Sequence, residues 1–270
     1  MDGGRLGRLI RPHPPADIEV LSDPRERRAA HVEIVVVLLL TFGMSGISSV
    51  LSLIEAELQR GGIGGQTVAL NTSQSTLDLI DLIRQLLGAV RLFAIAALAG
   101  YLIWRSGVSL HRVGLDRLRR SDVGWGVVAA AVIGLPGLGL YVIARSLGVN
   151  ADVVPSALTD TWWRLPVLVV SAWANAAAEE VLVVGYLVTR LRQLGWRENS
   201  SLVASAVLRG SYHLYQGVGG GVGNLLMGLV YGRFFQRTSR LWPLIIGHAL
   251  IDTVAFVGFA LLRDQLNWLS

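Results

Sequence analysis

Residues 176–190 read Ala-Ala-Ala-Glu-Glu-Val-Leu-Val-Val-Gly-Tyr-Leu-Val-Thr-Arg. Two adjacent carboxylates, Glu179 and Glu180, stand inside a run that is otherwise apolar until Thr189 and Arg190. On a helix in water such a pair would lie on a wet face opposite an apolar stripe. The residues around this pair supply no such face. What the carboxylates do therefore depends on what solvent surrounds the chain.

Composition answers that. The 270 residues are 52% hydrophobic and only 16% charged, with a mean hydropathy of +0.52. Soluble domains carry about a quarter charged residues, and here the apolar residues gather into long runs, as in membrane spans. Cysteine is absent, which excludes disulfides, thiol catalysis and a Cys-ligated metal. All 24 basic side chains are arginines, and with the abundance of Ala, Val, Leu and Gly this points to a bacterial protein of a GC-rich genome. The net charge of +5 does not imply nucleic acid as a partner, because the arginines cluster at the ends of apolar runs.

The pattern predicts an all-α, polytopic transmembrane bundle of about seven spans, at roughly 32–54, 86–105, 123–146, 165–190, 200–216, 221–237 and 241–262. Residues 1–30 read as a disordered cytoplasmic tail before an uncleaved first span. Residues 31–164 form N-terminal helices, with a segment from Ser75 to Leu87 along the interface, and residues 165–262 form a four-helix core. The fifth and sixth spans are expected to form a hairpin turning at Gly217–Gly221, and Pro136 to kink the third. Gly228 and Gly232 make a small face for close packing, within the chain or between chains.

Arginines set the orientation. Arg105, Arg112, Arg117, Arg119 and Arg120 fall between spans two and three, Arg190, Arg192 and Arg197 after span four, and Arg233, Arg237 and Arg240 before span seven. The opposite connections balance Arg145 and Arg164 with Asp152 and Asp160. This places the N-terminus in the cytoplasm of a multi-pass protein of the bacterial plasma membrane. Tryptophans at 104, 125, 162, 163, 196 and 242 fall near span ends, as an aromatic belt requires.

Six ionisable side chains lie well inside the expected spans, away from their ends: Glu179 and Glu180, Arg209 and His213, His248 and Asp252. Burying each costs a few kcal/mol, so each is a site candidate. At 1.5 Å per residue, Glu179 lies roughly 16 Å, Arg209 roughly 13 Å, His213 roughly 20 Å and His248 roughly 10 Å from the inner ends of their spans. These depths overlap, and the two pairs four residues apart each share a helix face. Two carboxylates and an arginine can simply neutralise one another and lock helices together. Two histidines at matching depth suggest more. A carboxylate beside an imidazole can hold and deprotonate water, and a second histidine with a polar group one turn on can stabilise an oxyanion. Two His and two Glu also make a zinc-type donor set, without the His-Glu-x-x-His spacing. No cofactor is expected, with a divalent metal such as zinc left open.

These residues resemble the CAAX prenyl protease and bacteriocin-processing (CPBP) family of intramembrane proteases. Its pattern is Glu-Glu-x-x-x-Arg, then Phe-x-x-x-His, then His-x-x-x-Asn or Asp, and Glu179-Glu180, His213 and His248-Ala-Leu-Ile-Asp252 follow in that order. Residues 228–238, Gly-Leu-Val-Tyr-Gly-Arg-Phe-Phe-Gln-Arg-Thr, resemble the family's Gly-rich helix and basic loop. The resemblance covers roughly 165–260. It implies a metal-independent glutamate protease in which Glu179, with His213, activates water, His248 and Asp252 form the oxyanion hole, and Glu180 orients the site. Two positions depart from the pattern. The motif arginine falls on Val184, and the motif phenylalanine falls on Arg209, so Arg209 is expected to supply the countercharge missing at Val184. An ionised Asp252 only accepts hydrogen bonds. It either stays protonated through burial and donates to the oxyanion, or orients His248 as an acceptor.

The function expected is hydrolysis of a peptide or membrane-anchored protein substrate within the bilayer. Two other readings stand beside it. One is a non-catalytic relative kept for immunity or partner binding. The other is a proton-coupled transporter, for which no repeat relates the two halves of the chain.

Overall fold

A computed structural model of the protein describes residues 18–262. The first expected span is a bent pair of helices, α1 (Pro24–Leu40) and α2 (Phe42–Leu58), meeting at 50°. Thr41 breaks them apart with φ −136° and ψ −128°. Of the expected tail, residues 1–17 lie outside the described residues, and its end is helix instead. Asp23 caps α1 by accepting from the Arg25 backbone, and Pro24 suits the first turn, where its missing N–H costs nothing.

After α2 come a short strand β1 (Thr67–Ala69) and α3 (Asp78–Arg105). The expected interfacial segment is therefore not separate, because from Asp78 onward it is the start of a continuous 28-residue helix. Asp78 and Asp81 fall in the first turn, where carboxylates complement the helix dipole, and Asp81 accepts from the Gln74 backbone at 2.7 Å. Then follow α4 (Arg120–Ser146), which runs through Pro136, and β2 (Asp152–Val154). The two strands pair in parallel, Thr67 opposite Asp152, a feature that an all-helical reading does not contain. The pairing holds connections 59–77 and 147–163 at one end of the bundle. At the other end Arg240 reaches Asp116 at 3.3 Å and also pairs with Asp122. The His111 side chain and the Arg117 backbone, hydrogen-bonded to Asp116, hold that carboxyl well below the usual carboxylate range.

The central rod consists of α5 (Arg164–Glu179), a π-helical stretch Glu180–Tyr186, and α6 (Leu187–Gln193). Every residue of the π stretch is buried, and Ala172, Ala174, Ala176 and Ala178 let neighbours approach closely. The chain closes with α7 (Glu198–Ser211), α8 (Val218–Thr238) and α9 (Trp242–Leu262). Among the described residues, four elements are long and apolar enough to cross a membrane: α3, α4, the α5–α6 rod and α9. The α1–α2 pair makes five. The expected seven spans are met only in part, because α7 has 14 residues and α8 spreads six glycines and two arginines through its length.

The α7–α8 hairpin turns at Tyr212–Gly217, and the glycines from 219 onward belong to α8. Gly217 has φ +119°, and Gly220 N–H donates to Asn150 Oδ1, so the hairpin tip docks on the connection after α4. The Gly228/Gly232 face packs inside the chain, against α7. A Cβ on Gly228 would lie 2.8 Å from Ala206 Cα, and one on Gly232 would lie 2.5 Å from Leu202 Cδ1. Gly228→Val is therefore expected to push α7 from α8 and destabilise the protein by about 1–3 kcal/mol. Gly258, with open space around its Cβ position, should accept alanine without a comparable loss. Thermal unfolding of both variants in detergent checks this.

Candidate active site

Three elements converge on one cavity of about 970 Å³. From α5 come Asn175 and Glu179, from the turn after α7 come Tyr212 and His213, and from α9 come His248 and Asp252. Glu180 and Arg209 do not line the cavity and lie behind it, both fully buried. Adjacent helical residues point about 100° apart, so one carboxylate faces the cavity and the other the protein interior.

Arg209 Nη2 donates to Glu180 Oε1 at 2.6 Å, and its Nη1 lies 3.9 Å from Glu179 Oε2. The same Glu180 oxygen lies 2.7 Å from His248 Nδ1. Glu180 therefore joins the buried guanidinium of α7 to the imidazole of α9. Val184 is fully buried in the apolar core.

Each histidine has one ring nitrogen committed. His213 Nδ1 lies 3.0 Å from the Arg209 carbonyl, one turn back, although His213 itself has left the helix. A carbonyl only accepts, so Nδ1 carries the proton and neutral His213 keeps a lone pair on Nε2. Glu180, ion-paired with Arg209, likewise fixes the proton of His248 on Nδ1. When charged, His248 also donates from Nε2, which lies 3.6 Å from Asp252 Oδ2. Asp252 Oδ2 also accepts from Asn175 Nδ2 at 3.0 Å. The amide of Asn175 is a donor to that oxygen, and so is charged His248 when it turns toward it, which suits an accepting carboxylate.

Tyr212 and Asn175 are site residues that charge-based reading of the sequence passes over. Tyr212 Oη donates to Glu179 Oε2 at 2.7 Å, and its ring packs on Phe42 and His213 with centroids 4.8 and 4.7 Å away. Asn175 stands one turn before Glu179, the spacing that could have flagged it. The π stretch is supported from outside, since Ser205 Oγ donates to the Val183 carbonyl at 2.7 Å. Such wide turns recur at functional sites. Among the described residues no three of His, Asp and Glu are set to hold a metal ion.

The family model described as type II CAAX prenyl endopeptidase, Rce1-like, matches residues 161–254. That match, over about a third of the chain, supports membership of the CPBP family for this segment. The matched segment runs from just before α5 to just past the middle of α9 and contains all six ionisable residues singled out above. No curated protein and no solved structure matches the chain. Tyr212→Phe keeps the ring contacts and removes one hydrogen bond from Glu179. It is expected to lower peptide cleavage about tenfold with little change in unfolding temperature, read as kcat/KM beside a melting curve.

Proposed function

We propose that the protein is an intramembrane endopeptidase that hydrolyses a peptide bond of a peptide or membrane-anchored protein substrate. The observation that carries this is the convergence of Glu179, His213, His248 and Asp252, from three elements, on one cavity. Glu179, one of whose oxygens is held by Tyr212, takes a proton from water, with His213 Nε2 accepting a second hydrogen bond from that water. The water oxygen bonds to the substrate carbonyl carbon and an oxyanion forms. Charged His248 donates to it from Nε2, and Asn175 offers a neutral N–H beside it. Collapse breaks the C–N bond, and the proton held by Glu179 passes to the departing amine. Asp252 keeps the accepting role that its neighbours suit, and Glu180 and Arg209 hold His248 in place.

In this reading residues 165–262 are the catalytic core, and 31–164 shape the cavity's outer wall. The N-terminus lies in the cytoplasm of a bacterial cell, as the arginine distribution favours. The test is cleavage of a peptide library by purified full-length protein in detergent, beside Glu179→Ala and His248→Ala. Cleavage by wild type that both variants lose supports the endopeptidase. Wild type that cleaves nothing, or variants as active as wild type, refutes it.

A further inference from the structure

One arginine has no role in the chemistry above. Arg91 lies on α3, a helix of membrane-crossing length and apolarity. It is 13 residues from Asp78 and 14 from Arg105, so at 1.5 Å per residue it stands roughly 20 Å from either end of the helix. From there a side chain cannot snorkel to a headgroup layer roughly 15 Å from the bilayer centre. An arginine at such depth needs a counter-anion or a water-filled cavity. Arg91 is exposed, and among the described residues it has no hydrogen-bond or ion-pair partner. It lines the same cavity as Glu179 and His213, and it is the one arginine there.

Its position within that cavity is informative. The cavity lies between α2, with Ser45, Ser48 and Ser52 on its wall, and α3, with Gln85, Gly88 and Arg91. Helix α2 rests instead on the end of α7, where Ser49 Oγ donates to the Tyr212 carbonyl at 3.0 Å, and it scarcely touches α3. The cleft between the two helices is thus a side opening, polar on both walls, leading toward the carboxylates. Glu179 and Asp252 repel an incoming anion, and Arg91 is the fixed positive charge on the way to them.

We propose that Arg91 is a specificity-determining residue that binds a carboxylate carried by the substrate, on an acidic side chain or at a chain terminus, as the substrate enters between α2 and α3. This deepens the endopeptidase reading and rests on it. The test uses purified full-length protein and pairs of one cleaved library peptide that differ only in Asp against Asn at scanned positions, or in terminal acid against amide. Wild type should favour the carboxylate member of one pair by about tenfold or more in kcat/KM, the worth of a charge-assisted hydrogen bond. Arg91→Ala should collapse that ratio toward unity, and Arg91→Glu should turn the preference to the peptide with Lys at that position. The same ratio in wild type and Arg91→Ala overturns the proposal.

If wild type cleaves no peptide, hydrolysis is what has failed, and the pairs are then read by binding. Glu179→Gln protein should bind the carboxylate member more tightly, and Glu179→Gln with Arg91→Ala should not. Equal binding by the two overturns the proposal. In nanodiscs, stabilisation by phosphatidylglycerol over phosphatidylcholine that needs Arg91, without any peptide preference, would assign the guanidinium to a lipid phosphate and also overturn it.

Discussion

Glutamine in place of Glu179 is expected to lower kcat/KM on the best library peptide by about 10²–10⁴-fold, the range contributed by a positioned general base. The substitution changes one atom and leaves the shape intact. The amide carbonyl still accepts from Tyr212 Oη, now at 2.7 Å from a carboxylate oxygen, so the packing of Tyr212 on Phe42 should survive. What is lost is the ability to take a proton from water. Melting in detergent should therefore stay close to wild type while cleavage disappears. Glu180→Gln offers the contrast. Its oxygen serves both Arg209 and His248, so it should lose stability as well as rate. A Glu179→Gln protein that cleaves at wild-type speed would remove the base from the proposed reaction.

The carboxylate pair was legible in the sequence because charge inside an apolar run is costly and therefore conspicuous. Helical rise alone brought Glu179, His213 and His248 to overlapping depths, and the structure sets them on one cavity. Arg209 was legible for the same reason, and its buried bond to Glu180 lies where the expected countercharge would act. Neutral groups gave no such signal. Asn175 and Tyr212 cost less to bury; Asn175 is marked only by standing one turn before Glu179, and Tyr212 only by its partners.

Elements whose form depends on neighbours were also hidden. The π stretch after Glu179 relies on Ser205 from another helix, and no local pattern encodes that. The α7–α8 hairpin turns earlier than its glycines suggest, because those glycines serve contact with α7 and Asn150 as well as turning. Arg91 gives no such signal when the second span is taken from residue 86, because it then lies near that span's edge. Once α3 starts at Asp78, the same arginine moves from a span's edge to its middle.

Removal of the Arg209 side chain is expected to have the largest effect on stability. A fully buried guanidinium gains from Glu180 at 2.6 Å, and truncating it leaves that carboxylate buried without its cation. Breaking a buried pair from one side costs about 3–5 kcal/mol. Arg209→Ala should therefore melt far below wild type or fail to accumulate. Removing both charges with shape retained should cost much less, since no ion is then left unpaired. Arg209→Met with Glu180→Gln is accordingly expected to regain most of the lost stability. The coupling, read from the two single variants and the double by melting in detergent, should exceed about 1 kcal/mol. Activity should not return with it, because the ionised Glu180 that fixes the His248 proton on Nδ1 is gone. Arg209→Ala with Val184→Arg asks whether the charge can come from the central rod instead. Val184 is fully buried in the same core, so its arginine must use the volume that Arg209 vacates, and partial recovery of both stability and cleavage is the outcome expected. An Arg209→Ala protein that folds and cleaves like wild type would show that the pair neither holds the helices nor orients the histidine.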